Sequence, residues 1–329
     1  MAHVLDIEDL RVSFDTDDGE VRAVNGVSFH VNEGEVLGLV GESGCGKTVT
    51  ALSVLRLIPS PPGRVASGRI VHRGRDLLSL PIQEMRSIRG SAISMIFQEP
   101  MSALSPLHRV GGQLMETLML HRPVSRKEAW RTSVEWLDKV GIPDPAARMD
   151  AYPFQLSGGM RQRVMIAMAL MLDPELVIAD EPTTALDVTV QAQIFDLLLK
   201  MKSRKTAILL ITHDMGVVWN VCDRVHVMYA SKLVEKGPRK EIFEHPRHPY
   251  TQGLLKAMPR LYRKTDRLPA IKGQVPSPLS IPSGCPFRDR CPFAFWRCPA
   301  EVPPLYPCGE EHEAACFLID PEGEKNNKP

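Results

Sequence analysis

The sequence predicts an α/β fold with a mostly parallel core sheet, an antiparallel β subdomain, a helical insert and a small cysteine-rich C-terminal extension. Three observations predict it. Val36–Val40 reads VLGLV, an apolar run of strand length, and passes directly into the glycine-rich Gly41–Thr48, GESGCGKT. Two further apolar runs, Leu176–Asp180 (LVIAD) and Ala207–Thr212 (AILLIT), flank the helical pattern VTVQAQIFDLLLKMK, and strands alternating with helices build a parallel sheet. Five of the seven cysteines crowd between Cys285 and Cys316.

A length of 329 residues suffices for one large domain and a smaller one. The large domain is placed at 1–250, with its helical insert at about 99–165, and the extension at 251–329. A formal net charge of +1 supplies no overall field toward nucleic acid or anionic lipid. The start of the chain, MAHVLDIEDL, is acidic and lacks the basic flank and apolar stretch of a signal peptide. The longest dense apolar run, Val164–Leu172, is far shorter than the roughly 20 residues of a membrane-spanning helix. The expectation is a cytoplasmic chain that meets a membrane only through a partner. Crowded cysteines in such a chain point to metal or cluster ligation, not to disulfides.

Residues 4–36 alternate apolar and polar positions on either side of TDDGE, which predicts two antiparallel strands and a turn. Phe14 ends the first strand; it suits stacking on a base, and equally an ordinary core aromatic. The stretch Gly41–Thr48 matches the phosphate-loop pattern G-x-x-x-x-G-K-[ST] at every required position. Gly41, Gly44 and Gly46 let successive N–H groups point inward, Lys47 adds a charge that reaches phosphate, and the Thr48 hydroxyl suits Mg²⁺. A helix is predicted over Thr48–Leu57, a loop over Ser60–Ser67, and a strand over Ser91–Phe97 that ends at Gln98, before Pro100. Residues 101–150 carry apolar positions at helical spacing, and Ser125 with Glu128 forms a capping-box pattern. Leu156–Met160 (LSGGM) places Gly158 and Gly159 at the opening of an amphipathic helix, a second anion-binding candidate. Asp180 closes a buried strand and suits Mg²⁺ held through water; the adjacent Glu181 suits a catalytic base, and His213 follows the next strand directly. The plain alternatives are a solvated helix-start charge for Glu181 and a core histidine for His213.

GESGCGKT, the glutamine of FQEP, LSGGM, LVIADE, ALD and ITHD together resemble the nucleotide-binding subunit of an ATP-binding-cassette (ABC) transporter, in order and spacing from about Val4 to Tyr250. The resemblance implies that Gly41, Glu42, Ser43, Gly44, Cys45, Gly46, Lys47 and Thr48 bind ATP, with Phe14 and Asp180 contributing. It implies Mg²⁺ held through Thr48, Gln98 and Asp180, catalysis by Glu181, His213 and Gln98, and a cross-dimer role for Asp187. Leu156, Ser157, Gly158, Gly159 and Met160 would complete the partner's ATP site. Met160 stands where glutamine is commonest and Cys45 where serine is frequent; neither supplies an obligatory side chain. Cys45, like Cys222, reads as a structural cysteine; the alternative is a thiol whose pKa is lowered among inward N–H groups and which alkylating reagents would reach unless ATP protects it.

Past residue 230, HPRHPYTQGLLKAMP and PLSIPSGCPFRDRCPFAFWRC resemble the C-terminal extension of the oligopeptide, dipeptide and nickel importer ATPases. That implies import of short peptides or a related solute. Its partners would be a second ATPase subunit in a heterodimer, two transmembrane permease subunits and an extracytoplasmic solute-binding protein, with the chain peripheral on the cytoplasmic face of a bacterial inner membrane. Cys285, Cys291, Cys298 and Cys316 match the four cysteines of that extension and imply a [4Fe–4S] cluster, with Cys308 an alternative fourth ligand. By donor chemistry alone zinc and plain thiols remain the other readings, although the gaps lack the C-x₂-C knuckle typical of zinc. Few apolar residues lie between Pro276 and Pro307, so a metal centre would also staple the segment. Cys45 and Cys222 stand apart. A different class, a non-transport ABC ATPase of DNA repair or translation, fits less well. The charge is balanced, there are no sustained heptads, and no nucleic-acid partner is expected; an importer for nickel or another solute is the nearer alternative.

Overall fold

The alternation in the first 32 residues becomes two long strands, β1 (His3–Thr16) and β2 (Gly19–Asn32), with Leu10 and Val12 inward and Asp9 and Arg11 outward. The computed structural model describes residues 2–99, 103–183, 187–258 and 270–321. Residues 100–102, 184–186 and 259, which carry Pro100, Ala185, Leu186 and Pro259 of the motifs above, lie outside the described residues. The chain divides into two compact units. One holds Met1–Leu5, Val31–Glu35 and Ser79–Leu210; the other holds Asp6–His30, Val36–Leu78 and Ile211–Pro329.

In the first unit, β6 (Ile93–Ile96) runs parallel to β7 (Leu176–Asp180), pairing Ile93 with Leu176 and Ile96 with Ala179. The amide of Ala207, which opens β8 (Ala207–Thr212), donates to the Glu175 carbonyl at 2.8 Å and sets β8 beside β7. All residues of β7 and β8 are buried, which is why both read as unbroken apolar runs. Helices Val110–His121, Arg126–Lys139, Gly158–Leu170 and Val188–Met201 make up most of the rest. The capping box forms as expected: the Glu128 amide donates to Ser125 Oγ, and the Ser125 amide donates to the Glu128 carboxylate at 2.9 Å. A helix over Ile82–Ile88, seven residues and opened by Pro81, is additional to the expected elements. The strand expected over Ser91–Phe97 is shorter. Ser91 and Ala92 turn back on that helix, with the Ser91 hydroxyl on the Ser87 carbonyl and the Ala92 amide on the Ile88 carbonyl. Helix Gly158–Leu170 is not amphipathic: Gln162, Val164–Ala167, Ala169 and Leu170 are all buried, and past its first turn only Arg163 and Met168 are partly exposed.

In the second unit, β2, β1, β4 (Gly63–His72) and β5 (Arg75–Asp76) form one sheet in that order. The loop expected over Ser60–Ser67 thus gives way to strand from Gly63, where the Asp15 amide meets the Pro62 carbonyl at 2.9 Å. β3 (Val36–Val40) pairs parallel with β9 (Arg224–Tyr229), and β10 (Lys232–Pro238) pairs antiparallel with β9. The helix after β3 spans Lys47–Val54 and stops short of Leu57, because Arg56 adopts a left-handed φ of 51°. The extension joins the same sheet. β12 (His312–Ala314) pairs with β10 and β11 (Tyr306–Gly309) with β12, both antiparallel. Phe287 of the extension is buried against Tyr229 and Tyr250, with ring centroids at 5.2 and 5.4 Å. The segment, too sparse in apolar residues to hold a core of its own, takes its core from the unit it packs into.

Candidate functional site

Five buried residues of β3 deliver the chain into Gly41–Thr48 at a fixed point. Gly46 there adopts φ 102°, and a Cβ on it would collide with the Ala23 carbonyl, so no other residue fits. Lys47 is only 5 % exposed, and its Nζ donates to the carbonyls of Gly41 at 2.8 Å and Glu42 at 3.0 Å. That places a buried cation at the centre of the loop. Ser43, Gly44 and Thr48 line its exposed rim, where a phosphate chain and a hydrated Mg²⁺ would approach. Cys45 takes the structural role the sequence favoured, and the reactive-thiol alternative fails. It is fully buried, its sulfur lies 3.7 Å from Lys47 Nζ, and desolvation outweighs that charge, so its pKa is raised. Glu42 is held at both ends. Its amide donates to the Tyr250 hydroxyl at 2.9 Å, and its carboxylate accepts from Arg290 Nη1 at 2.7 Å and Nη2 at 3.0 Å. The same pairing raises the Arg290 pKa. Phe14 is half-buried beside Gly63. His213 is exposed just past β8, where Asp214 caps the helix Met215–Val221 through the amides of Gly216 and Val217.

The first unit carries the remaining residues. Asp180 ends β7 and is 2 % exposed. Glu181 follows in a left-handed conformation, φ 43°, which costs a non-glycine residue of order 1 kcal/mol and is typical of sites that aim a side chain. Gln98, exposed past β6, donates from Nε2 to Glu181 Oε2 at 3.1 Å, so the two adjacent strand ends bring these residues together. Leu156 is buried; Ser157 Oγ accepts from the Met160 amide at 3.3 Å and caps the helix, with Gly158 exposed and Gly159 and Met160 half-buried. The exposed Asp187 caps Val188–Met201 by accepting from the Val190 amide at 2.9 Å. The loop with His213, and the set Gln98, Asp180, Glu181, Asp187 and Leu156–Met160, fall in different units.

Cys285, Cys291, Cys298 and Cys316 line one small cavity in the second unit, beside Phe287 and Phe317. The Cys285 amide donates to the Cys298 carbonyl at 2.7 Å, and the Phe295 amide points at Cys298 Sγ, 3.5 Å away. Burial, with the neighbouring thiols adding to it, pushes Cys285 up to about 11 and Cys316 up to about 12, and raises Cys291. Cys308 is not among the cavity's lining residues; its thiol donates to the His312 carbonyl at 3.4 Å. Among the described residues, no three His, Cys, Asp or Glu side chains stand in a metal-holding arrangement. As a donor set, four soft sulfurs around one cavity fit a thiolate-bound centre; as placed, they do not form its cage.

Sequence reasoning missed the grip of Arg290 and Tyr250 on Glu42. It also missed the fully buried Glu235, whose carboxylate accepts from the amides of Arg247 and His248 and pairs with His312 Nε2 at 2.8 Å. The one local signal was the HPY of His248–Tyr250, a histidine cap with proline at the first helical position.

The family described as ABC transporter matches residues 24–184, and that described as the oligopeptide/dipeptide transporter C-terminal region matches residues 234–298. A probable peptide ABC transporter ATP-binding protein of Sinorhizobium fredii is 50% identical over 316 residues, covering 95% of this chain and 94% of its own length. The dipeptide transport ATP-binding protein DppD of Bacillus subtilis is 50% identical over 326 residues, covering 98% of this chain and 97% of its own. Among solved structures, the dimeric MJ0796, a bacterial ABC transporter cassette, superposes with a TM-score of 0.63 at 25% identity, over 71% of this chain and 98% of that one.

Proposed function

The chain belongs to the ABC transporter ATP-binding family, with the ATPase cassette and an oligopeptide/dipeptide transporter C-terminal region, and from that premise we propose that it hydrolyses ATP to drive import of short peptides. The observation that carries the peptide assignment is half identity to a peptide and a dipeptide transport protein along nearly the whole chain. On this reading the cassette is residues 1–250, with the insert at about 99–165, and the extension is 251–329. Gly41–Thr48 cradle the triphosphate, with Phe14 against the base. Thr48, Gln98 and Asp180 hold Mg²⁺, and Glu181 polarises the attacking water, with Gln98 keeping its carboxylate in place and His213 on the γ-phosphate.

The working unit is a heterodimer in which Leu156–Met160 and Asp187 serve the partner ATPase subunit's nucleotide. Two permease subunits and an extracytoplasmic binding protein complete the importer. No helix among the described residues is long and apolar enough to cross a membrane, which fits a peripheral subunit on the cytoplasmic face. We further propose that Cys285, Cys291, Cys298 and Cys316 hold a [4Fe–4S] cluster, for which the four-sulfur cavity is the support; the cluster would supply redox-responsive, thiolate-bound iron there.

The test is reconstitution of the complete transporter in vesicles, with labelled dipeptide and nickel ion offered in parallel. ATP-driven dipeptide uptake, lost in Glu181→Gln together with phosphate release while bound ATP persists, is the expected result. Nickel uptake without dipeptide uptake would overturn the peptide assignment, and parent-rate phosphate release by the variant would overturn the role of Glu181.

A further inference from the structure

Glu42 poses a charge problem. It is the second residue of a loop whose amides and buried Lys47 are arranged for a polyanion, and a bare carboxylate there repels the ligand. The structure answers that charge from far along the chain. Arg290 meets both carboxylate oxygens fork to fork, Nη1 to Oε2 at 2.7 Å and Nη2 to Oε1 at 3.0 Å. The Arg290 side chain is 5% exposed and that of Glu42 30%, so the pair is screened little by solvent. The guanidinium has no freedom to leave. Nε donates to the Lys272 carbonyl at 3.1 Å, Nη1 also reaches the Tyr229 hydroxyl at 3.4 Å, and the plane lies over the Tyr229 ring, 5.7 Å from its centroid. The Glu42 amide is fixed separately by the Tyr250 hydroxyl. Neither Arg290 nor Tyr250 belongs to a nucleotide-binding motif, and Arg290 sits among the cysteines of the extension.

We propose that Arg290 is a positioning residue for the nucleotide: it neutralises Glu42 and fixes where that carboxylate sits, so the ATP affinity of Gly41–Thr48 depends on the C-terminal extension. The proposal rests on the reading of that loop as the phosphate site. Lysine replaces the charge but not the fork, so Arg290→Lys keeps only part of the effect.

The experiment is equilibrium binding of a fluorescent ATP analogue with Mg²⁺ to the full-length chain, at two ionic strengths, with a thermal melt of each variant. Arg290→Ala is expected to weaken binding about tenfold, in the range of ordinary coupling between sites. That deficit shrinks as salt rises. The double variant Arg290→Ala with Glu42→Gln is expected to recover most of the affinity, because no carboxylate is left to neutralise. If Arg290 only staples the extension, the double variant melts low and binds as weakly as Arg290→Ala, which overturns the proposal. If Arg290→Ala does not fold, Arg290→Gln, which keeps donors for the Lys272 carbonyl, replaces it in the same comparison. Lys47→Ala separates the two levels of inference. Binding lost in Lys47→Ala but unchanged in Arg290→Ala overturns the positioning role alone. Binding unchanged in Lys47→Ala overturns the phosphate-loop reading beneath it.

Discussion

At Cys45 two opposing effects act on one thiol, and burial wins. The Lys47 ammonium 3.7 Å away favours the thiolate, yet the residue is wholly enclosed and its pKa rises. Cys222 is similarly buried, at 1% exposed, whereas Cys291 and Cys308 are partly accessible. Labelling the native chain with a neutral alkylating reagent should modify Cys308, outside the four-cysteine cavity, first, and Cys45 and Cys222 only after denaturation, as read by peptide mass spectrometry. Rapid native labelling of Cys45 with ATP protection would restore the reactive-thiol view. Gly46 argues from sterics instead. Its φ of 102° and the Ala23 carbonyl beside it leave no place for a methyl group, so Gly46→Ala should abolish binding of the ATP analogue or prevent folding.

At the scale of the element, the helix Arg126–Lys139 depends on a cap that is complete in both directions. Ser125→Ala removes the hydroxyl that takes the Glu128 amide and should lower stability by about 1 kcal/mol, measured by denaturant titration. A change below a few tenths would mean that packing of Ala129, Ser133 and Leu137 alone holds the helix. This cap was legible because its parts lie three residues apart, as were the apolar runs of β3, β7 and β8, the loop at Gly41–Thr48 and the acidic pair at Asp180–Glu181. Elements whose identity depends on distant partners were not. The Arg290–Glu42 pair spans 248 positions, and nothing local to either residue announces the other. The pairing of β12 with β10 likewise comes from hydrogen-bond edges that no periodicity encodes. Helix Gly158–Leu170 misled for a related reason. Gln162, in the middle of its polar run, is enclosed by neighbours instead of facing water, so composition overstated its amphipathic character.

At the scale of the whole molecule, the extension is tied down by buried polar groups, and these make its stability depend on pH. Glu235, wholly buried in β10, accepts from the amides of Arg247 and His248 at 2.6 and 3.0 Å and from His312 Nε2 at 2.8 Å. Glu235→Ala strands those donors and should cost roughly 3–5 kcal/mol, the range for breaking a buried pair by removing one side. His248 lies next in the same network. Its Nδ1 accepts from the Tyr250 amide at 3.1 Å, which requires the unprotonated nitrogen. Burial lowers its pKa to about 4 against the pull of Glu235, and His226, also buried, is lowered well below its usual value. The sign follows from proton uptake. An unfolded histidine protonates near about 6.5, so between there and about pH 4 the unfolded chain binds a proton that the folded chain refuses. Stability therefore falls as pH drops through that window, at up to about 1.4 kcal/mol per pH unit for each such histidine, and this contribution is level outside it. His248→Asn keeps an oxygen to cap the Tyr250 amide and removes the titration. Denaturant titrations from pH 7 to pH 4.5 should show a shallower loss of stability in the variant, with His226 supplying what slope remains. An unchanged slope would mean that His248 takes up its proton in the folded chain, and that the Tyr250 amide, with the hydroxyl of the same residue on Glu42, is held by something other than this cap.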